Sequence, residues 1–330
     1  MGIQNPINEE TVSWQLDDID INASLTRPDG EGPFPAVIMI AGSGPTDRNW
    51  NSPLIPGTNG SAALIAKELT AIGFITLRYD KRASGPQAIK NFERLAGKFS
   101  LQSHRDELAG GVNFLSQHKD VIPSHIFGLG NSEGCLHALY YQAHETELPF
   151  AGLILTAPMA RSGGDVARAQ VGAQLAGVPG GDKWLASYDA CMADFVAGRD
   201  VKIDESLPEG LRNLILAVTN PGNQPFARQL WTADQMSLLS RVEAPVLVVI
   251  GKRDIQVDWQ ADGSIYEAYA KNHSNITIRF PETANHVLKY EPQGGPKFTA
   301  TEAMAIYNAE DARLDPLTVE IITTWLRARI

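Results

Sequence analysis

A doubly wound, mostly parallel α/β sheet interrupted by one helical insertion is the architecture this sequence predicts. Short, continuous apolar runs alternate with helical stretches along most of the 330 residues, a pattern that calls for a sheet covered on both faces. The β signal lapses between residue 157 and about residue 240, then resumes. The apolar run 126–130 also passes through a Gly-x-Ser-x-Gly turn straight into a helix that begins Cys135-Leu136-His137-Ala138, a junction suited to such a sheet.

Residues 11–26 alternate apolar and polar, with Val12, Trp14, Leu16, Ile19, Ile21 and Leu25 apolar, and predict an antiparallel strand pair at a sheet edge. Residues 35–41 form an unbroken apolar run, expected of a strand buried on both sides. Ser61 is placed to cap a helix running through Ala71, and residues 75–79 predict the next strand. A helix at about 101–118, the strand and helix around the Gly-x-Ser-x-Gly turn, and a strand at 152–156 continue the alternation. Such alternation implies parallel strands joined by right-handed crossovers. The next stretch is Ala-rich, Gly-rich and helical, with Trp184, Met192, Phe195, Leu214 and Trp231 as large apolar residues. Strands return at 245–250 and 276–280, and an amphipathic helix at about 316–327 closes the chain. The domain reading is a core formed by 1–157 and 241–330, with 158–240 inserted as a helical cap. An extended stretch from Tyr290 to about Ala300 is expected to form a loop beside His286.

With 43% hydrophobic residues the chain can bury a substantial core. Its 28 Lys and Arg against 38 Asp and Glu give a net charge of −10, which repels phosphate backbones and anionic membrane surfaces. Neither nucleic acid nor membrane is an expected partner; a small molecule is, and a homo-oligomer is compatible with the composition. The two cysteines, Cys135 and Cys191, cannot form a disulfide framework and read as buried thiols of a reducing compartment. No apolar stretch approaches the ~20 residues of a membrane span, and residues 1–6 lack a secretory pattern, so the expected location is cytoplasmic. The Asn-x-Ser/Thr matches at Asn22, Asn59 and Asn275 are then accidental.

Ser132 stands at the centre of the functional reading. A serine hydroxyl is a poor nucleophile at its ordinary pKa, so it needs a base beside it and a turn that lifts Oγ clear of the backbone. Gly130 and Gly134 remove the Cβ atoms that would collide with the neighbouring strand and helix. On an open α/β sheet the partners should follow as an acid after a later strand and then a histidine. Asp254, after the strand predicted at 245–250, and His286, after the strand predicted at 276–280, appear in that order. Both fall at the carboxyl edge of the sheet, where ligands bind. His286 is the expected proton shuttle and Asp254 the group that fixes its tautomer. Asp258 competes for the acid role but is better placed to cap the helix that follows. The other histidines show no spacing typical of zinc ligands, and no metal is expected. Two backbone donors are expected for an oxyanion. One is the N–H of Glu133; the other is that of Ser43, in the loop Ala41-Gly42-Ser43-Gly44-Pro45, with Gly42 letting the chain turn close to the substrate.

Taken together these residues resemble the bacterial carboxylesterases of the α/β-hydrolase fold that carry a Gly-Ser-Gly-Pro-x-(Asp/Asn)-Arg loop and a Gly-x-Ser-Glu-Gly elbow. Here the motifs read Gly42-Ser43-Gly44-Pro45-Thr46-Asp47-Arg48 and Gly130-Asn131-Ser132-Glu133-Gly134, and the segments Arg78-Tyr79-Asp80-Lys81-Arg82 and Gly251-Lys252-Arg253-Asp254 fit the same group. The resemblance implies the α/β-hydrolase fold, ester hydrolysis through an acyl-enzyme, a Ser-His-Asp triad and no cofactor. It also gives Asp47, Arg48 and Arg82 the task of bracing the loops around the oxyanion hole. The chain departs from the group at Ala41 and Asn131, where histidines are common, and at Ala83, where glycine is common. The first two changes leave the backbone donors in place and alter the pocket floor.

The composition of the cap points to a fairly apolar ester of small to medium size. The same triad would also serve a thioesterase, a lactonase, a peptidase or a carbon–carbon bond hydrolase, since fold and triad do not separate these. A dinucleotide site is excluded by spacing, because Gly128-x-Gly130-x-x-x-Gly134 is not the G-x-G-x-x-G fingerprint and the strand at 152–156 ends without an acidic residue. A catalytically silent binding module has no chemical need for Ser132, Asp254 and His286 together.

Overall fold

The computed structural model describes residues 8–145, 147–292, 305–309 and 311–330; most of the stretch expected as a loop from 290 to 300 lies outside them, as does the segment 1–6. In chain order the core begins with β1 (Asn8–Leu16), β2 (Ile19–Arg27), β3 (Phe34–Ile40), α1 (Ser61–Ala71), β4 (Ile75–Tyr79), α2 (Ala88–Leu95), α3 (Leu101–Gln117), β5 (Val121–Asn131), α4 (Glu133–His144) and β6 (Gly152–Thr156). The helices α5 (Gly163–Leu175), α6 (Gly181–Val196), α7 (Glu209–Val218), α8 (Phe226–Thr232) and α9 (Gln235–Leu239) follow. Then come β7 (Val246–Val249), α10 (Ala261–Ala270), β8 (Ile276–Arg279) and α11 (Pro316–Arg327).

Along β3, Ala36, Ile38 and Ile40 join one apolar cluster while Val37 and Met39 join another, and all five are 0–1% exposed. The two-residue period of a strand sends alternate side chains to opposite faces, so an all-apolar strand needs a cover on each side. On one side α3, α4 and α10 supply Leu108, Val112, Leu115, Leu139 and Tyr266. On the other, α1 and α11 supply Ile65, Leu69, Ile322 and Trp325. The sheet is thus doubly wound, in the order β1-β2-β4-β3-β5-β6-β7-β8. β1, β2 and β4 pair antiparallel in sequence, and the ladder from β4 through β8 is parallel. The antiparallel pair expected at an edge is β1 and β2. Parallel pairing brings the carboxyl ends of β3, β4, β5, β7 and β8 to one edge, and the loops that follow them carry Ser43, Ser132, Asp254 and His286.

Between β6 and β7 the described residues are helical, with a small core of their own built on Val171, Tyr188, Cys191, Met192, Leu207, Leu211 and Ile215. Three local expectations shift. Ser61 is the first residue of α1 rather than its cap; Gly60, in the left-handed region, takes the cap position, and Asn59 Oδ1 accepts the Ser61 N–H. The helix after the turn starts at Glu133, not Cys135, because the turn around Ser132 is tighter than expected. The strand before it starts at Val121, since its first half pairs at the sheet margin without the apolar run that marks its second half. Asp258 is not the cap expected of it: the cap position of α10 falls on Gln260, and Asp258 Oδ1 accepts the N–H groups of Gln260 and Ala261 in the turn just before the helix.

Candidate active site

Ser132 links β5 to α4 at φ 55° and ψ −122°, a region non-glycine residues seldom occupy. Its backbone is held on both sides: the Ser132 N–H donates to Thr156 O at 2.9 Å, and its carbonyl accepts the Cys135 N–H at 2.9 Å. The two glycines are needed for contact as well as conformation. A Cβ on Gly130 would overlap the Gly134 carbonyl, and one on Gly134 would overlap the Ile40 carbonyl at the end of β3. The elbow is therefore packed against the loop after β3. A Cβ on Gly42 would stand 3.3 Å from Ser132 Cβ, which sets that loop directly beside the half-buried serine.

Asp254 and His286 come together as the sequence predicts. His286 Nδ1 lies 2.8 Å from Asp254 Oδ2 and 3.0 Å from Oδ1, with both residues buried. Asp254 Oδ1 also accepts the N–H groups of Gln256 (2.8 Å) and Val257 (2.9 Å), so the carboxylate is fixed before it meets the imidazole. A carboxylate oxygen accepts, so the His286 Nδ1–H donates to Asp254. The two loops are stitched by Lys252 N–H to Pro281 O and Arg253 N–H to Ala284 O. Gly251 allows this crossing, since a Cβ there would overlap the Ala284 carbonyl. Asn131 ties the elbow to the histidine loop: its Nδ2 donates to His286 O at 3.1 Å and to Thr156 Oγ1 at 3.2 Å. Among the described residues, Ser132 Oγ and His286 Nε2 share no hydrogen bond.

The backbone N–H groups of Ser43 and Glu133 donate to no group among the described residues. Asp47 and Arg48 shape the loop that carries Ser43. Asp47 accepts the N–H groups of Asn49 and Asn51, and Arg48 clamps Asp80, at the end of β4, through its own N–H (2.8 Å), Nε (3.1 Å) and Nη2 (2.6 Å). Arg82 turns elsewhere, to Glu107 Oε1 on α3 at 2.9 Å and to Asp17 at 3.1 Å.

Sequence reasoning passed over the side chain of Lys81 and the acidic function of Glu133. Lys81 Nζ donates to the Gly42 carbonyl at 2.5 Å and stands 3.7 Å from Glu133 Oε1. Burial opposes ionisation of Glu133, but the Lys81 ammonium and the hydrogen bond from His137 outweigh it and hold the carboxyl at about 2. The available signal was a lysine two residues beyond a wholly buried strand, where a solvated charge has no place. Cys135, two residues past Glu133, is a free thiol whose pKa burial pushes up, so it stays protonated beneath the elbow.

No family model matches the chain. It is 25% identical over 327 residues to Esterase EstD of Thermotoga maritima, covering 95% of this chain and 68% of that protein. The solved 2,6-dihydroxy-pseudo-oxynicotine hydrolase matches with a TM-score of 0.53 at 17% identity, covering 96% of this chain and 66% of the other. Est1E from Butyrivibrio proteoclasticus matches with a TM-score of 0.54 at 16% identity, covering 97% and 98%. The chain thus spans about two thirds of the length of the first two. It has the α/β-hydrolase fold. No helix among the described residues is long and apolar enough to cross a membrane.

Proposed function

We propose that this chain is a serine hydrolase that cleaves carboxylic esters through an acyl-enzyme. The observation that carries this reading is the Asp254–His286 pair, 2.8 Å apart on loops at the same sheet edge as a strained Ser132. Similarity to an esterase over most of the chain supports the choice of bond. Ser132 Oγ adds to the ester carbonyl while its proton passes to His286 Nε2, and the carbonyl π electrons become an oxyanion. The N–H groups of Ser43 and Glu133 receive that charge, with Gly42 keeping the approach open. Collapse expels the alcohol, which leaves with the proton from Nε2. Water then attacks the acyl-serine, His286 takes its proton, and the acid departs as Ser132 regains the proton. Asp254 keeps Nδ1 protonated throughout and stabilises the imidazolium. Asp47, Arg48 and Asn131 hold the loops at their separations; Arg82 acts further away, against α3.

Residues 158–240 serve as the cap in this reading. Two contacts support it: Gln170 Nε2 of α5 donates to Gln256 O, two residues beyond Asp254, and Arg161 pairs with Asp262 of α10 at 2.7 Å. The apolar composition of residues 158–240 favours a fairly apolar ester of small to medium size. Buried free thiols fit a cytoplasmic setting. A fluorophosphonate probe, which phosphonylates activated serines, tests the assignment. Labelling mapped to Ser132 and lost in Ser132→Ala is expected; labelling at another serine, undiminished in that variant, contradicts it.

A further inference from the structure

A line of buried polar groups runs under the proposed oxyanion hole, and the proposed reaction uses none of their side chains. It passes from the Gly42 carbonyl to Lys81 (2.5 Å), Glu133 (3.7 Å) and His137 (3.1 Å), then to His104, whose ring centroid is 4.5 Å from that of His137. From there it continues to Glu107 (3.4 Å) and Arg82 (2.9 Å). Lys81 is 6% exposed and Glu133 is 3% exposed. A buried ion pair is weak evidence of stabilisation, because desolvation offsets the attraction and an apolar pair of equal volume often does as well. Its placement is more telling.

The carbonyl that Lys81 holds belongs to the Gly42–Ser43 peptide, and the N–H of that same peptide is one proposed oxyanion donor. In a trans peptide the C=O and N–H point in opposite directions, so an ammonium fixed on the oxygen fixes the direction of the N–H. It also polarises the peptide and strengthens the N–H as a donor. The carboxylate on the other side of Lys81 belongs to Glu133, whose backbone N–H is the second proposed donor. We infer that Lys81 is a positioning residue that sets both oxyanion donors at once, holding the Gly42–Ser43 peptide by its carbonyl and the first turn of α4 by the Glu133 side chain. This rests on the reading of Ser132 as nucleophile. His137 extends the hold, since its Nε2–H donates to Glu133 from one turn further along α4.

The test compares wild type, Lys81→Met and Lys81→Arg for p-nitrophenyl ester turnover and for inhibition by a trifluoromethyl ketone, which forms a tetrahedral oxyanion on an activated serine. Removing one oxyanion donor typically costs about 10²-fold or more, and loosening both should lower kcat by about 10²-fold with KM within about three-fold. Ketone affinity should fall by the same factor, and the guanidinium of Lys81→Arg should restore at least about ten-fold of the loss. A purely structural lysine would lower Tm while leaving kcat and ketone affinity within about three-fold, which overturns the inference. Should Lys81→Met fail to fold, Glu133→Gln carries the same test: a kcat loss of about ten-fold is expected, and none contradicts it. If the wild type neither turns over esters nor binds the ketone, the hydrolase reading falls. Amide exchange measured by NMR then decides for Lys81: Ser43 and Glu133 exchanging at least about ten-fold faster in Lys81→Met uphold the positioning role, and unchanged rates overturn it.

Discussion

Two carboxylate–imidazole pairs lie next to the proposed nucleophile Ser132 among the described residues, and they are built oppositely. Asp254 and His286 meet at 2.8 Å across two loops that follow different strands. Glu133 and His137 meet at 3.1 Å one turn apart on the single helix α4. His286 Nε2 makes no hydrogen bond among the described residues. His137 is sealed in, its Nδ1 buried without a hydrogen bond and its ring packed against His104 and Phe226. Burial, joined by the nearby His104, pushes the His137 imidazole down to about 4 against the pull of Glu133. His137 is thus neutral at neutral pH, and the charge that keeps Glu133 ionised there is that of Lys81. In the proposed reaction the same two functional groups make a proton shuttle in one place and a brace in the other; access to the second ring nitrogen decides which.

Removing either end of the first pair's relay should have the largest effect. Ser132→Ala and His286→Ala should each lower kcat by about 10⁵ to 10⁶, and the double variant should be no worse than either, because the groups act as a unit. Asp254→Asn should cost less, about 10⁴, since it spoils the tautomer and leaves the imidazole in place. Steady-state hydrolysis of a p-nitrophenyl ester measures all four; small and equal losses would place the chemistry elsewhere. His137→Gln, which retains a donor for Glu133, should leave kcat within about ten-fold in the same assay. A loss matching that of His286→Ala would erase the distinction between the two pairs.

The second pair should show itself in acid. With a folded pKa of about 4 against 6.5 for an ordinary histidine, His137 takes up its proton more readily in the unfolded chain. Stability therefore falls as pH drops from about 6.5 to about 4, by roughly 3 kcal/mol if the whole shift is expressed. Glu107, held at about 2 because His104 and Arg82 overcome its burial, behaves like Glu133. Both are depressed carboxylates, so their contribution is present above the ordinary carboxylate range and is lost as pH falls through about 2. Urea unfolding at pH 6.5, 5 and 4 should show the first decline in the wild type and a flatter profile in His137→Gln. Parallel profiles would assign the acid sensitivity to other groups.

The first pair was legible in the sequence and the second was not, for a physical reason. Asp254 and His286 each follow a β run, and parallel pairing forces such positions to a common edge, so strand order alone brings residues 32 apart within hydrogen-bonding distance. Ser132 was marked by its glycines, whose absent Cβ atoms are needed at both contacts. The windings of the sheet were equally readable, because β3 is apolar at every position. Nothing local distinguishes Glu133 and His137 from an ordinary i,i+4 pair on a solvated helix face. Their burial depends on α8 arriving from far along the chain with Phe226, and on Lys81 reaching down from β4. Arg48 and Arg82 show the same limit, since only packing sends one to Asp80 and the other to Glu107.

The most direct test of the central claim is the first turnover. Mixed rapidly with p-nitrophenyl acetate, the wild-type protein should release a burst of p-nitrophenol approaching one equivalent per chain, followed by slower steady release as the acyl-serine hydrolyses. Ser132→Ala should show neither phase above the rate in buffer. A burst that persists in Ser132→Ala would contradict the account, because the acyl group would then be carried by a different residue.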